Sequence, residues 1–220
     1  MRKMLIRYRT FVATTLTLLG LIALPPGARG QTVVYKGEAV VVSASALGIV
    51  NVALSDTGPL PASGGSQSTE LASATVPNLL DVHLLTASTT GANNQTNSQA
   101  SVVNLSVTAA GISIQASVLT SHANAACYPD HAAVSGSSTI ASLTVNGRSI
   151  TVTGAPNQTV PLLVGSLIIN EQVSSVTNSP QGMSADMLVN ALHLRVLNVA
   201  NVVVSSSQAG VTCGASLEVE

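Results

Sequence analysis

Tryptophan is absent from the 220 residues, phenylalanine occurs once and tyrosine three times. Phe11 and Tyr8 lie in an N-terminal segment treated below, so Tyr35 and Tyr128 are the aromatics of the remaining chain. Stacking platforms for bases or sugar rings are therefore nearly excluded. The core must be built from Val, Leu, Ile and Ala, thin enough to lie between two packed sheets. Charge is scarce as well: 8% of residues are Asp, Glu, Lys or Arg, against roughly a quarter in ordinary globular chains. Beyond residue 30 the cations are Lys36, Arg148 and Arg195, facing nine acids, for a net charge of −6. Three scattered cations cannot neutralise a run of phosphates, which argues against a nucleic-acid partner. No basic amphipathic helix is present to hold an anionic membrane surface.

Cysteine is limited to Cys127 and Cys213, and their setting organises the chain. Ser121 to Cys127 reads SHANAAC and Ser207 to Cys213 reads SQAGVTC, so Ser, Ala and Cys recur in step. Each copy follows an alternating apolar hairpin that opens on Val-Asn, at Val103-Asn104 and at Val189-Asn190. An even pair of cysteines in an exported chain predicts one intramolecular disulfide, Cys127 to Cys213.

Export is read from the first thirty residues. Arg2, Lys3, Arg7 and Arg9 precede an apolar run, Phe11 to Leu24, which Pro25-Pro26-Gly27 breaks. Small residues at Ala28 and Gly30 complete a cleavage site before Gln31. The run is shorter than the roughly 20 residues of a spanning helix, and no Cys follows it for acylation. Residues 1–30 are expected to be a signal peptide and 31–220 one domain, secreted or at the bacterial surface and free of the membrane after cleavage.

From Thr32 onward the hydrophobic period is two, with Gly, Asn, Pro and Ser at the breaks. Leu80, Val82 and Leu84 alternate with Asp81 and His83. Val107, Ile112, Ile114, Ala116 and Val118 form one expected inner face, and Leu192, Leu194, Val196, Val202 and Val204 another. Asn146-Gly147 between short apolar runs is a hairpin turn, since Asn-Gly accepts positive φ at both central positions. Ser55–Thr69 and Gly91–Gln99 lack an apolar period and read as connections. The pattern predicts an all-β antiparallel sandwich of two related halves, about 31–133 and 134–220, with a β-helix as the alternative.

Chemistry-bearing residues are sparse. Asp56-Thr57-Gly58 has the letters of an aspartic-protease turn, but that reaction needs two carboxylates sharing a proton, and one copy reads as a self-capped turn. His83, His122, His131 and His193, with Asp81, Asp130 and Glu171, show no His-x-x-x-His or Cys-x-x-Cys spacing for zinc. Loop oxygens with Asp56 or Asp130 leave calcium open. No Gly-x-Ser-x-Gly elbow occurs. Glu171, between Asn170 and Gln172 after Leu167-Ile168-Ile169, is the most pointed residue. A buried carboxylate needs a partner, and Lys36, Arg148 and Arg195 are the cations on offer. Lys36, Asn170, Glu171 and Gln172 are taken as a structural polar cluster, with a Glu171-promoted isopeptide bond from Lys36 as its most reactive version.

Asp56-Thr-Gly-Pro-Leu-Pro61, Gly154-Ala-Pro-Asn157, Ile169-Asn-Glu-Gln172 and Val189-Asn-Ala-Leu-His193, in this order with the two Cys-ended segments, make the chain resemble the choice-of-anchor P family. These are exported bacterial surface proteins with varied C-terminal anchors. The resemblance implies a location rather than a reaction. The sequence ends on Leu217-Glu-Val-Glu220 without an LPxTG-like motif or apolar span, so attachment by such an anchor is not expected. The expectation is a non-enzymatic structural or interaction role, with no cofactor and a surface or matrix component as partner. A secreted hydrolase and a calcium-dependent glycan binder are the alternatives.

Overall fold

The computed structural model describes residues 32–46, 50–197 and 199–214. The expected signal peptide lies outside them. Thirteen strands follow one another with no helix among the described residues. The first six are β1 (Val33–Ala46), β2 (Val50–Asp56), β3 (Gly65–Val76), β4 (Leu80–Ala92), β5 (Gln95–Ala109) and β6 (Ile112–Cys127). Then come β7 (Ala132–Ala141), β8 (Thr144–Val145), β9 (Arg148–Ser149), β10 (Gln158–Leu162), β11 (Gly165–Ser179), β12 (Gly182–Val196) and β13 (Ala200–Cys213).

They form two antiparallel sheets packed as a sandwich. The first runs β10-β11-β12-β13-β1-β2; the second runs β3-β4-β5-β6-β8-β9, with β7 also paired to β6. The first sheet holds the run β10–β13 and is completed by β1 and β2 from the other end of the described chain, whereas the second is built of the consecutive strands β3–β9. β6 pairs with both β7 and β8 along its length. Tight turns explain why consecutive strands pair. Asn93-Asn94, Ala110-Gly111 and Asn146-Gly147 all have positive φ at both residues, the geometry whose twist matches antiparallel strands.

The inward face changes parity part-way along several strands. In β6, Ile112, Ile114 and Ala116 are buried, and then Leu119, Ser121, Ala123 and Ala125. In β13, Val202 and Val204 give way to Ser205, Ser207, Ala209 and Val211. Left-handed residues inside the strands mark the shift in four cases: Leu84 (φ 42°), Asn104 (52°), Asn170 (52°) and Ser205 (55°). One such residue rotates the rest of its strand and exchanges the two faces.

This corrects two sequence expectations. Leu84 is 45% exposed while Leu85 is fully buried, and Val118 is 37% exposed on the outer face. The rest of the expected inner face, including Ile114 and Leu194, is buried. Ile114→Ala is therefore expected to cost about 2–5 kcal/mol, and Val118→Ala less than about 0.5 kcal/mol. Urea melts of the two variants check the pair, and equal losses would place the parity shift wrongly.

The shift divides the interior along the strand direction. A large aliphatic core holds Leu85, Val102, Leu119, Leu167, Ile169 and Leu192 among others. A smaller one holds Ala123, Ala125, Met187, Val189, Ala209 and Val211 around the two cysteines. Hydroxyls lie between them. Ser121 Oγ and Ser207 Oγ are 2.6 Å apart, and Ser205 Oγ donates to the carbonyl of Ala100 at 2.8 Å. Thr89 and Ser98 bond each other, and Thr96 donates to the Gly210 carbonyl. Small residues let the sheets approach: a Cβ at Gly37 would run into Thr89 Oγ1. The hydroxyl layer also explains two further corrections. Gly65–Thr69 belongs to β3 and Gln95–Gln99 to β5, although both read as connections, because exposed Ser and buried Thr carry no apolar alternation.

Candidate functional site

Ser121 and Ser207 are equivalent in the repeated segment, and they touch each other across the sandwich. Six residues further along each strand, Cys127 and Cys213 form a disulfide with Cα atoms 5.8 Å apart. β6 and β13 therefore face each other, one from each sheet, and the bond ties the sheets at the smaller core.

The buried titratable groups gather on the outer face of the first sheet. In the ladder Glu171 on β11 lies opposite Asn190 on β12, and Arg195 on β12 opposite Asn201 on β13. The parity shift between Ala191 and Leu192 turns Asn190, His193 and Arg195 all outward, so three polar side chains of one strand share a face with Glu171. Glu171 Oε2 accepts from Asn190 Nδ2 at 2.7 Å and lies 2.6 Å from His193 Nδ1, while Oε1 accepts from Arg195 Nη2 at 2.7 Å. His193 Nε2 is 2.7 Å from Asn201 Oδ1. Burial pushes the Glu171 carboxyl up, but the Asn190 and His193 hydrogen bonds and the charges of His193 and Arg195 outweigh it and hold the group below its ordinary range. One atom of the cluster lacks a partner: Asn190 Oδ1 is buried without a hydrogen bond.

The cation of this carboxylate is Arg195, one of the three on offer, and not Lys36. Lys36 lies on β1 with its ammonium 3.8 Å from Asp186, an exposed pair, which separates it from Glu171 and removes the geometry for an isopeptide bond between them. Asn170 and Gln172 bond each other and the loop before β10. Asn170 Nδ2 donates to the Gly154 carbonyl, Gln172 Nε2 to Asn170 Oδ1, and the Gln172 amide N–H to Asn157 Oδ1. They support the middle of β11, where Glu171 lies, rather than a strand end.

Asp56 accepts from the Gly58 N–H at 2.7 Å, with Gly58 at φ 66°, so it caps its own turn. Asp56 on β2 and Glu171 on β11 are separated by β1, β13 and β12. Asp130 lies in the turn after β6, bonded to His131, whose ring stacks on Tyr128. His83 and His122 point outward from the second sheet, on β4 and β6. Among the described residues no three His, Cys, Asp or Glu side chains gather as a metal site.

Glu38 is a missed neighbour of Asp56: partial burial, then the Asp56 charge, raises its carboxyl. A raised folded-state value penalises the ionised form, so Glu38→Gln is expected to stabilise the protein at neutral pH. The gain should fade as pH falls through that raised value towards the unfolded carboxylate range. Melting midpoints of both proteins from pH 7 to pH 4 read the sign. Compared with known proteins, the chain matches no family model, no curated protein and no solved structure.

Proposed function

We propose that the chain is an exported bacterial surface protein of the choice-of-anchor P type, with a non-enzymatic structural or interaction role. The observation that carries this reading is how the buried Glu171–His193 set is used. Both oxygens of Glu171 and both ring nitrogens of His193 are engaged by neighbouring side chains, an arrangement that fastens three strands together and occupies the atoms a catalytic base would need. The disulfide suits an oxidising compartment, as the signal-like N-terminus does. Expression of the full chain in a bacterial host tests the location. A processed form beginning at Gln31, recovered outside the cytoplasm with its thiols blocked, supports the reading. An unprocessed form with two alkylatable thiols would refute it.

A further inference from the structure

The outer face of the second sheet carries a different chemistry from the rest of the molecule. Four adjacent strands place their outward side chains in register. Ser88, Gln99, His122 and Ser137 form one rung across β4, β5, β6 and β7. Thr90, Asn97, Asn124 and Ser135 form the next. A third rung, from Thr86 through Ser101 and Thr120 to Thr139, repeats hydroxyls only. The first two rungs line a trough of about 540 Å³, and a hollow of about 280 Å³ beside Ser88 and Gln99 continues it towards β3. At the spacing of paired strands the rungs run about 14 Å across the sheet.

Apart from the His122 imidazole, this surface holds no cationic or aromatic side chain, and Glu70 on β3 is the acid at its margin. An anionic polymer would meet no Lys or Arg there. A protein partner would find none of the aromatic or Arg anchors that carry most interface energy. What the trough offers is a dense set of paired donors and acceptors, the match for a chain that carries both on every hydroxyl. Two of its amides are already fixed. Asn124 Nδ2 donates to Asn97 Oδ1 at 2.7 Å and to the Thr96 carbonyl at 3.2 Å. That leaves Asn97 Nδ2 as a donor beside Asn124 Oδ1 as an acceptor, a pre-oriented pair suited to neighbouring hydroxyls of one sugar ring.

We propose that this trough binds a neutral polysaccharide, held by hydrogen bonds to the amide and hydroxyl rungs, with the Asn97–Asn124 pair reading vicinal hydroxyls. The proposal rests on the surface role above by naming its partner class. Native-gel electrophoresis of the disulfide-intact full chain through hydroxyethylcellulose, galactomannan or dextran tests it, with polygalacturonate as the acidic counterpart. At least one neutral polymer should retard the protein, and Asn97→Ala with Asn124→Ala should weaken that retardation at least tenfold. Gln208→Ala, on the outer face of the other sheet, should leave it unchanged. Ser137→Trp, a bulky residue at an exposed position of the trough, should abolish it even if the double variant loses stability. Failure of every neutral polymer, equal retardation by polygalacturonate, or binding that survives both trough variants would overturn the proposal. Export with no such binding would sink the trough alone, and binding by an unexported chain would sink the location alone.

Discussion

Replacing Cys127 and Cys213 together by Ala is expected to lower the stability of the protein by about 2–5 kcal/mol. The bond spans 86 residues of sequence, so its loss returns the entropy of a long loop to the unfolded chain. Alanine is the right probe because both cysteines are buried among Ala123, Ala125, Ala132 and Ala209, where a serine hydroxyl would add a desolvation cost of its own. For a domain of this size the melting midpoint should fall by roughly 5–15 °C. The smaller core is the part most exposed to the change, since both cysteines belong to it. Denaturant midpoints of the oxidised protein and the double variant measure the difference. A shift equivalent to less than about 0.5 kcal/mol would mean that the hydroxyl layer and the two cores already fix the sheets.

The second large effect belongs to Glu171. Glu171→Ala should cost about 2–4 kcal/mol, because it strands the Asn190 amide and His193 at buried positions while Arg195, half exposed, turns to water. Glu171→Gln should cost less, since the amide keeps an acceptor for part of the set. The pH dependence has a definite sign. A carboxyl held below its ordinary value contributes stability above the unfolded value, and loses it as pH falls through the folded one. The gap between wild type and Glu171→Gln should thus be full above about pH 4.5 and close below it. A cycle with His193→Ala should show the two losses to be strongly non-additive. Additive losses, or a gap that widens in acid, would show that the carboxylate is not bound as described.

Legibility in the sequence followed the distance between cause and effect. The turn at Asn146-Gly147, the alternation of Ile112 and Ile114, and the in-step Ser and Cys of the repeated segment are local signals, and each was readable. The reversal of parity was not, because a left-handed Leu84 or Ser205 inside a strand has no sequence mark. Asn104 and Asn170 are residues that tolerate positive φ, yet asparagine is common throughout this chain. The partner of Glu171 stayed open for a related reason. His193 and Arg195 alternate correctly along β12, but choosing Arg195 over Lys36 requires the β11–β12 register. The trough was invisible because its two rungs draw side chains from four strands between Ser88 and Ser137, and no single strand shows an unusual pattern.

The pairing of β1 with β13 has a consequence for the order of events during synthesis. Val33 lies opposite Cys213 and Ala46 opposite Ala200, so β1 waits for β13, the first and the last of the described strands. The second sheet can assemble β3 to β6 from neighbouring hairpins as they emerge, whereas the first cannot close, nor the disulfide form, until β13 has been made. Such distant pairing makes folding slow, on the scale of milliseconds to seconds or longer. For the export proposed above, a chain whose first and last described strands must meet before one sheet closes stays open long enough for a translocase to thread it.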